Sequence, residues 1–261
     1  MKGYTLITGA SKGIGEAFAY EAAKKGYDLI LVSLPEDGLK VVAQDIREHY
    51  QVEVITYQDN FTKPKAVKQF LSWCSEQNFT INILINNAGM GMQGPFEDLD
   101  PETRRIMMRL NMEALVDLTH GILPYIKESR GYLLNVSSMA ALMAIPYKAV
   151  YSASKHFVLA FSNALHYEMK DSDVKVSCLC PGPTITSDEV RLRVETQGRK
   201  ARIMTMTAEA VAKEGFAGLL KGKREIIPGW NNKILGFFMK RLPTRLTLHF
   251  SGNMFKKYQD E

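Results

Sequence analysis

The chain has 261 residues, 46% of them hydrophobic and 23% charged, with a formal net charge of +5. That length suits one large α/β domain with a fully buried sheet or two small domains, and the composition excludes a disordered or fibrous protein. The mild positive charge is spread without a basic stripe interleaved with aromatics, which argues against nucleic acid as a partner.

Three cysteines form neither a disulfide framework nor a paired metal motif: Cys74 stands alone, and Cys178 and Cys180 share one apolar run. The five histidines are scattered, so a metal centre is not expected. No apolar run reaches the ~18 residues of a membrane span, and the first residues lead into an apolar strand without a leader layout. A cytoplasmic location is the expectation.

Along the chain, short Val, Ile and Leu runs alternate with longer segments of helical period. The runs at 4–8, 28–33, 53–57, 83–86, 131–136, 174–180 and 225–227 predict strands. The segments 13–25, 36–50, 64–78, 101–127, 149–169 and 208–220 predict helices. Asp100 before Pro101, and Thr207 before an Ala-Glu run, have the chemistry of helix caps. Strands apolar on both faces, alternating with helices, specify an α/β fold: a doubly wound parallel sheet of about seven strands with helices on both faces. Residues 1–228 read as one domain, with a loop at about 185–206 available for substrate. Residues 229–261 read as an apolar, basic-flanked extension of it.

The first strand runs into Thr8-Gly9-Ala10-Ser11-Lys12-Gly13-Ile14-Gly15. Glycines allow left-handed backbone and close approach to a pyrophosphate, and the helix that follows offers unpaired N–H groups and a partial positive charge. The spacing is G-x-x-x-G-x-G rather than the G-x-G-x-x-G of other dinucleotide folds. After the second strand, where an acidic residue would bind the ribose hydroxyls of NAD, stands Ser33-Leu34. With no carboxylate at Ser33 to repel a 2′-phosphate and Lys12 to attract one, NADP(H) is favoured over NAD(H). Against this, Glu36 and Asp37 follow closely, and Lys12 has a lesser reading as a solvated surface lysine. Asp59-Asn60 ends the third strand with groups able to hydrogen-bond an adenine, although such a pair also makes an ordinary polar turn. Asn86-Asn87-Ala88-Gly89 ends the fourth with small residues that leave room for a cofactor. Ligands of open α/β sheets bind at these carboxyl ends.

Tyr151 and Lys155 lie four residues apart in a helical segment, so they share a face. A phenol titrates near ~10 and exchanges protons poorly at neutral pH unless a nearby cation favours the phenolate. Taken alone, this spacing arises by chance in many helices.

Together, Thr8-Gly9-x-x-x-Gly13-x-Gly15, Asn86-Asn87-Ala88-Gly89, Asn111, Ser138, Tyr151-x-x-x-Lys155 and Pro181-Gly182 resemble the short-chain dehydrogenases/reductases of about 250 residues, from about residue 4 to 186. The resemblance implies that the doubly wound parallel sheet is Rossmann-type, and it implies a nicotinamide cofactor and hydride transfer at a carbonyl or secondary alcohol. It also implies roles. Tyr151 is the general acid or base, and Lys155 lowers its pKa and binds the nicotinamide ribose. Ser138, chosen over Ser137 on the family spacing, hydrogen-bonds the carbonyl oxygen, and Asn111 holds a water in a relay to Lys155. Gly9, Ser11, Lys12, Gly13, Ile14, Gly15, Ser33, Leu34, Asp59, Asn60, Asn87, Ala88 and Gly89 are then cofactor positions. So are Pro181, Gly182, Thr184 and Thr186, with Thr184 where family members often carry Val. A homodimer or homotetramer is implied as well.

Met90, Met92, Met139, Leu142, Met143, Tyr147, Met204 and Met206 offer an adaptable apolar wall for a hydrophobic ketone or aldehyde, though each also serves as core filler. Arg191, Arg193, Arg199, Lys200 and Arg202 read as a solvated helix face rather than a site for an acidic group. The extension after Pro228 has three readings, in falling order: a cap on the cleft, a subunit interface, a membrane-surface contact. Two other functions fit the same motifs, a non-catalytic NADP(H)-sensing or scaffolding protein and a nucleotide-sugar epimerase or dehydratase. The complete catalytic set argues against the first, and the glycine spacing and short chain against the second.

Overall fold

Each strand of the sheet is apolar on both sides because helices cover both sides. A computed structural model describes residues 3–196 and 199–255. The strands of its main sheet are β1 (Tyr4–Thr8), β2 (Leu29–Ser33), β3 (Val54–Gln58), β4 (Ile81–Asn86), β5 (Tyr132–Val136), β6 (Lys175–Leu179) and β9 (Glu225–Ile226). They lie in the order β3-β2-β1-β4-β5-β6-β9 with every pairing parallel. Helices α1 (Gly13–Lys24), α2 (Leu39–His49) and α9 (Ala208–Leu220) pack on one face, where Phe18 and Phe216 meet Ile7, Leu29, Leu31 and Ile85. Alternate residues Leu6, Ile30 and Leu84 face the other side, against α3 (Ala66–Glu76), α5 (Ala114–Glu128) and α6 (Ala149–Glu168). This strict alternation is the period-2 geometry of a strand buried on both faces.

The chain winds outward from β1 to β3, then returns to β4 beside β1 and winds the other way. Loops leaving β1 and β4 therefore diverge, and a crevice opens over their carboxyl ends. Beneath it, buried amides tie the layers together. Asn86 Nδ2 donates to Thr119 Oγ1 and Asn135 Oδ1, both at 2.9 Å, and Asn135 Nδ2 donates to Ser162 Oγ at 3.0 Å. Four elements, α5, β4, β5 and α6, are thus held in register directly under the crevice.

Three departures from the sequence expectation have a visible cause in the backbone. α2 starts at Leu39, because Glu36 and Gly38 adopt φ of 61° and 77° and cannot continue a right-handed helix. α3 starts at Ala66 for the same reason, with Lys65 at φ 69°. The segment expected as one helix over 101–127 is α4 (Pro101–Met108), a π-helical turn (Arg109–Glu113) and α5. The two caps are in place: Asp100 Oδ2 accepts from Thr103 N–H at 2.7 Å, and Thr207 Oγ1 accepts from Ala210 N–H at 3.2 Å.

Between β6 and α9 lie the short strands β7 (Thr184–Ile185) and β8 (Met206–Thr207), paired with each other, and the helices α7 (Asp188–Thr196) and α8 (Arg199–Met204). The extension folds into α10 (Trp230–Met239) and α11 (Thr244–Phe255). α10 is seated by its inner residues Asn232, Gly236 and Met239. A methyl on Gly236 would come within 2.9 Å of Ile227 Cδ1 and 3.2 Å of Leu142 Cδ1.

Candidate active site

The turn after β1 brings backbone rather than side chains to the crevice. Gly9 and Gly13 hold φ of 66° and 60°, conformations that favour glycine. A methyl on Gly15 would lie 2.0 Å from the Gly9 carbonyl oxygen and 2.5 Å from Asn87 Nδ2. The start of α1 therefore sits flush on the turn, with first-turn N–H groups that have no acceptor inside the helix. Thr8 joins this turn to the one after β4: its hydroxyl accepts from the N–H groups of Asn87 (3.1 Å) and Ala88 (3.0 Å). In return, Asn87 Nδ2 donates to the carbonyls of Thr8 and Gly9 at 3.0 and 3.1 Å.

At the end of the crevice beside β2, Ser33 is buried and donates to the Leu34 carbonyl at 2.9 Å. Lys12, expected to be available for a 2′-phosphate, is paired. Its Nζ lies 2.9 Å from Asp37 Oδ1, and Ser11 Oγ donates to Asp37 Oδ2 at 2.7 Å. The Ser11 and Lys12 hydrogen bonds hold the Asp37 carboxyl below its usual pKa. Asp37 is a crevice residue that sequence reasoning noticed but did not assign; the left-handed turn of Glu36 carries it back over the glycine loop. Asp59 and Asn60 also line the crevice, yet their side chains close their own turn. Asp59 Oδ1 accepts from Asn60 N–H at 2.7 Å, and Asn60 Oδ1 accepts from Thr62 N–H and Oγ1 at 3.0 and 2.7 Å.

Tyr151 and Lys155 occupy the first two turns of α6. The two serines after β5 divide their labour, which gives a chemical reason for choosing between them. Ser137 is buried and donates to the Lys155 carbonyl at 2.7 Å, so it braces α6. Ser138 Oγ accepts from Ala140 N–H at 3.0 Å, which leaves its own hydrogen to donate. Burial raises the Tyr151 pKa, and a hydrogen bond from Ser138 acts in the opposite direction. Lys155 lies fully within the protein. Burial lowers its pKa to about 8, and its Nζ donates to the Val136 carbonyl at 3.1 Å. Of the two effects on Tyr151, burial is the larger, so its pKa stands above the ordinary value.

Asn111 does not line the crevice. It sits in the π-helical turn, a form that concentrates at functional sites, and is buried behind Gly89. Its Oδ1 accepts from Met90 N–H at 3.0 Å, and its Nδ2 donates to the Met90 carbonyl at 2.9 Å and to Ser154 Oγ at 3.1 Å. The side chain thereby ties the loop after β4 to α6. Gly89 separates it from Lys155: a methyl there would lie 3.0 Å from Asn111 Oδ1 and 3.2 Å from Lys155 Nζ.

The loop after β6 closes the far side. Pro181 accepts from Met139 N–H at 2.9 Å, and Thr184 Oγ1 donates to the Gly182 carbonyl at 2.9 Å. Thr186 packs over the glycine turn, its Cβ 3.0 Å from where a Gly13 methyl would stand.

These groups line one cavity of about 1490 Å³. It runs from Ser33, Leu34, Asp37, Asp59 and Asn60, past Gly9, Ser11, Lys12, Gly13, Ile14, Asn87, Ala88 and Gly89, to Ser138, Tyr151, Lys155, Pro181, Gly182, Thr184 and Thr186. Of the sequence-predicted catalytic and cofactor residues, Gly15, beneath the turn, and Asn111, behind Gly89, fall outside it. A dinucleotide fits this shape, because the cavity wall along the glycine turn and the Ala88-Gly89 turn is made of small residues that leave the backbone open to a close approach.

Beyond Tyr151 the cavity continues as an apolar chamber. Met90, Met139, Met143 and Met204 line it as expected, whereas Met92, Leu142, Tyr147 and Met206 do not. Leu142 packs instead beside Cys178 and Cys180, and Met206 packs on the sheet core. Ile106, Leu110, Leu235, Met239 and Leu242 were missed. Ile106 and Leu110 lie in a segment of helical period, and Leu235, Met239 and Leu242 in the apolar extension, but neither signal says which side chains meet this site. Among the loop cations, Arg191 is exposed and 3.7 Å from Asp188, as a solvated helix predicts, and Arg202 is exposed. The side chains of Arg193, Arg199 and Lys200 lie outside the described residues.

A family model described as short chain dehydrogenase matches residues 4–196. The chain belongs to the short-chain dehydrogenase family. This short-chain dehydrogenase is an oxidoreductase with 3-oxoacyl-CoA reductase and hydroxysteroid dehydrogenase relatives. It is 33% identical over 253 residues to the very-long-chain 3-oxoacyl-CoA reductase of Rattus norvegicus, covering 90% of this chain and 79% of that one. A solved structure from work on 7beta-hydroxysteroid dehydrogenase stereoselectivity superposes with a TM-score of 0.86 at 25% identity, over 96% of both chains. A short-chain dehydrogenase from Sphingobium yanoikuyae, solved in complex with NADPH, superposes with a TM-score of 0.77 at 27% identity, over 92% of this chain and 96% of that one. The seven-stranded parallel sheet of this short-chain dehydrogenase is thus the Rossmann-like sheet of its relatives.

Proposed function

We propose that the protein is an NADP(H)-dependent oxidoreductase acting on a carbonyl or secondary alcohol, and that it reduces a hydrophobic ketone or aldehyde. One observation carries this reading: Ser138, Tyr151 and Lys155 stand together where the glycine-turn crevice meets the apolar chamber. When bound, the nicotinamide supplies or accepts the hydride. Everything else falls to the chain's own groups. The Tyr151 phenol gives its proton to the substrate oxygen, and the Ser138 hydroxyl donates a hydrogen bond to that oxygen as negative charge builds on it. The buried Lys155 ammonium stabilises the phenolate left behind; a pKa of about 8 keeps it largely charged at neutral pH.

Substitution Tyr151→Phe removes the proton and little volume. The expected result is a loss of turnover of at least about 10³-fold, within the range of a lost general acid and its hydrogen bond, with NADPH binding retained. Full activity in this variant would refute the assignment. A wild-type protein that binds NADPH but turns over no member of a broad ketone and aldehyde panel would point to the sensing role instead.

The preference for NADP(H) rests on Ser33 and Lys12. A 2′-phosphate would take the place of the Asp37 carboxylate on Lys12 and Ser11, and the exposed turn before α2 leaves Asp37 room to withdraw. Asp37 itself favours a second reading, NAD(H), since a carboxylate there can accept hydrogen bonds from ribose hydroxyls. Fluorescence titration with NADPH and NADH decides between them by the order of the two dissociation constants.

A further inference from the structure

We infer that α10 and α11 form a docking face for an anionic lipid surface, so that the helices walling the substrate chamber also rest on a bilayer. α10 presents two faces of opposite kind. Asn232, Gly236 and Met239 point inward and are buried, and Leu235, Met239 and Leu242 line the chamber. Trp230, Ile234, Phe237 and Phe238, at i, i+4, i+7 and i+8, point outward and are 71%, 51%, 51% and 52% exposed. Since the inner face is closely seated through Gly236, the outer face cannot rotate into the core. Arg241 continues the outer row, its guanidinium carbon 3.7 Å from the Phe237 ring centroid, and Leu246 of α11 extends the apolar area. Among the described residues no helix is long and apolar enough to cross a membrane, and α10 has ten residues. Such a helix lies on a bilayer rather than through it.

Charge selects the occupant. From Ile226 to Phe255 the sequence contains no Asp or Glu, while it contains Lys233, Lys240, Arg241 and Arg245. Lys233 and Lys240 are answered by Glu214 and Glu225 on neighbouring elements. Arg241 and Arg245 are exposed, and no ion pair among the described residues takes them up. A second copy meeting this face across a two-fold axis would set arginine against arginine with no carboxylate of the segment between them. An anionic headgroup layer supplies the missing charge, and its acyl boundary accepts the Trp and Phe side chains.

The test is sedimentation with vesicles, which is independent of the catalytic reading. The chain is mixed with vesicles of phosphatidylcholine alone or with phosphatidylglycerol at one part in three. Trp73→Phe leaves Trp230 as the sole indole reporter, since the sequence has two tryptophans. Expected are co-sedimentation with the anionic vesicles that weakens with added salt, a blue shift of Trp230 emission, and at least about tenfold weaker partitioning of the exposed-face double variant Phe237→Ser/Phe238→Ser. Circular dichroism and turnover of a small water-soluble ketone monitor the fold of that variant. The inference is overturned if anionic vesicles fail to pellet the chain, or if the double variant pellets as well as the wild type. It is equally overturned if that variant converts an oligomer into a monomer, because a second copy then covers the face.

Discussion

Asp37 illustrates how one carboxylate can set a preference that a binding motif leaves open. It bridges Ser11 and Lys12 at 2.7 and 2.9 Å, the two side chains of the glycine turn nearest the second strand. A like charge brought to this separation near a protein surface costs roughly 1–4 kcal/mol. Asp37→Asn is therefore expected to tighten NADPH relative to NADH by at least about tenfold, with Lys12→Met shifting the ratio the other way; fluorescence titration of both cofactors reads this out. Lys155 permits a second prediction at this scale. Burial lowers its pKa from 10.5 to about 8, so between those values the unfolded chain holds a proton that the folded chain has lost. Stability from this group therefore rises with pH across that window, and below it the cost of burying the ammonium is fully present. Lys155→Met should be more stable than the wild type at pH 7, by no more than ~3 kcal/mol. The advantage should shrink toward pH 10.5, and urea unfolding at several pH values measures the difference.

At the scale of the elements, the turn between β1 and α1 is a close approach of backbone to backbone. Gly15→Ala would place a methyl 2.0 Å from the Gly9 carbonyl oxygen and 2.5 Å from the Asn87 amide. Neither group can yield, because Asn87 and Thr8 hold the turn with four hydrogen bonds. The expected outcome is a loss of roughly 2 kcal/mol or more of stability, as for overpacking in a core, together with weakened dinucleotide binding; thermal unfolding with and without NADPH reads both. This turn was legible in the sequence, because glycine spacing and the strand-to-helix change are local signals. The caps Asp100 and Thr207 were legible for the same reason. By contrast, the π-helical turn at Arg109–Glu113 leaves no trace in a segment of continuous helical period, and the left-handed Glu36 contradicts the propensity of its residue type. Both reposition a site residue, Asn111 in one case and Asp37 in the other. The chamber residues of α4 and α10 were hidden for another reason, since the face they present depends on contacts between elements far apart in the chain.

At the scale of the whole molecule, the extension and the domain meet at Gly236. This residue lets α10 press against Ile227 and Leu142 while Leu235 and Met239 reach the chamber. Its nearest neighbours are the ends of flexible side chains, so one methyl can be absorbed. Gly236→Ala is accordingly expected to be neutral or slightly stabilising, since alanine also favours a helix interior by up to about 1 kcal/mol. Gly236→Leu cannot be absorbed in the same way, and α10 must lift from the short helical turn at Met139–Leu142 that follows Ser138. Lifting withdraws Leu235 and Met239 from the chamber while leaving Tyr151 and Lys155 on α6, and Ser138 in the loop after β5, where the Pro181 carbonyl still holds Met139 N–H. A bulky ketone that relies on those side chains should then show KM raised by about tenfold, the worth of roughly one buried aliphatic side chain. A small ketone should keep its kcat to within about a factor of two, since none of its transition-state contacts is removed. Steady-state kinetics of the Ala and Leu variants with both substrates test this: a fall in kcat common to both ketones would mean that α10 supports the proton-transfer groups themselves.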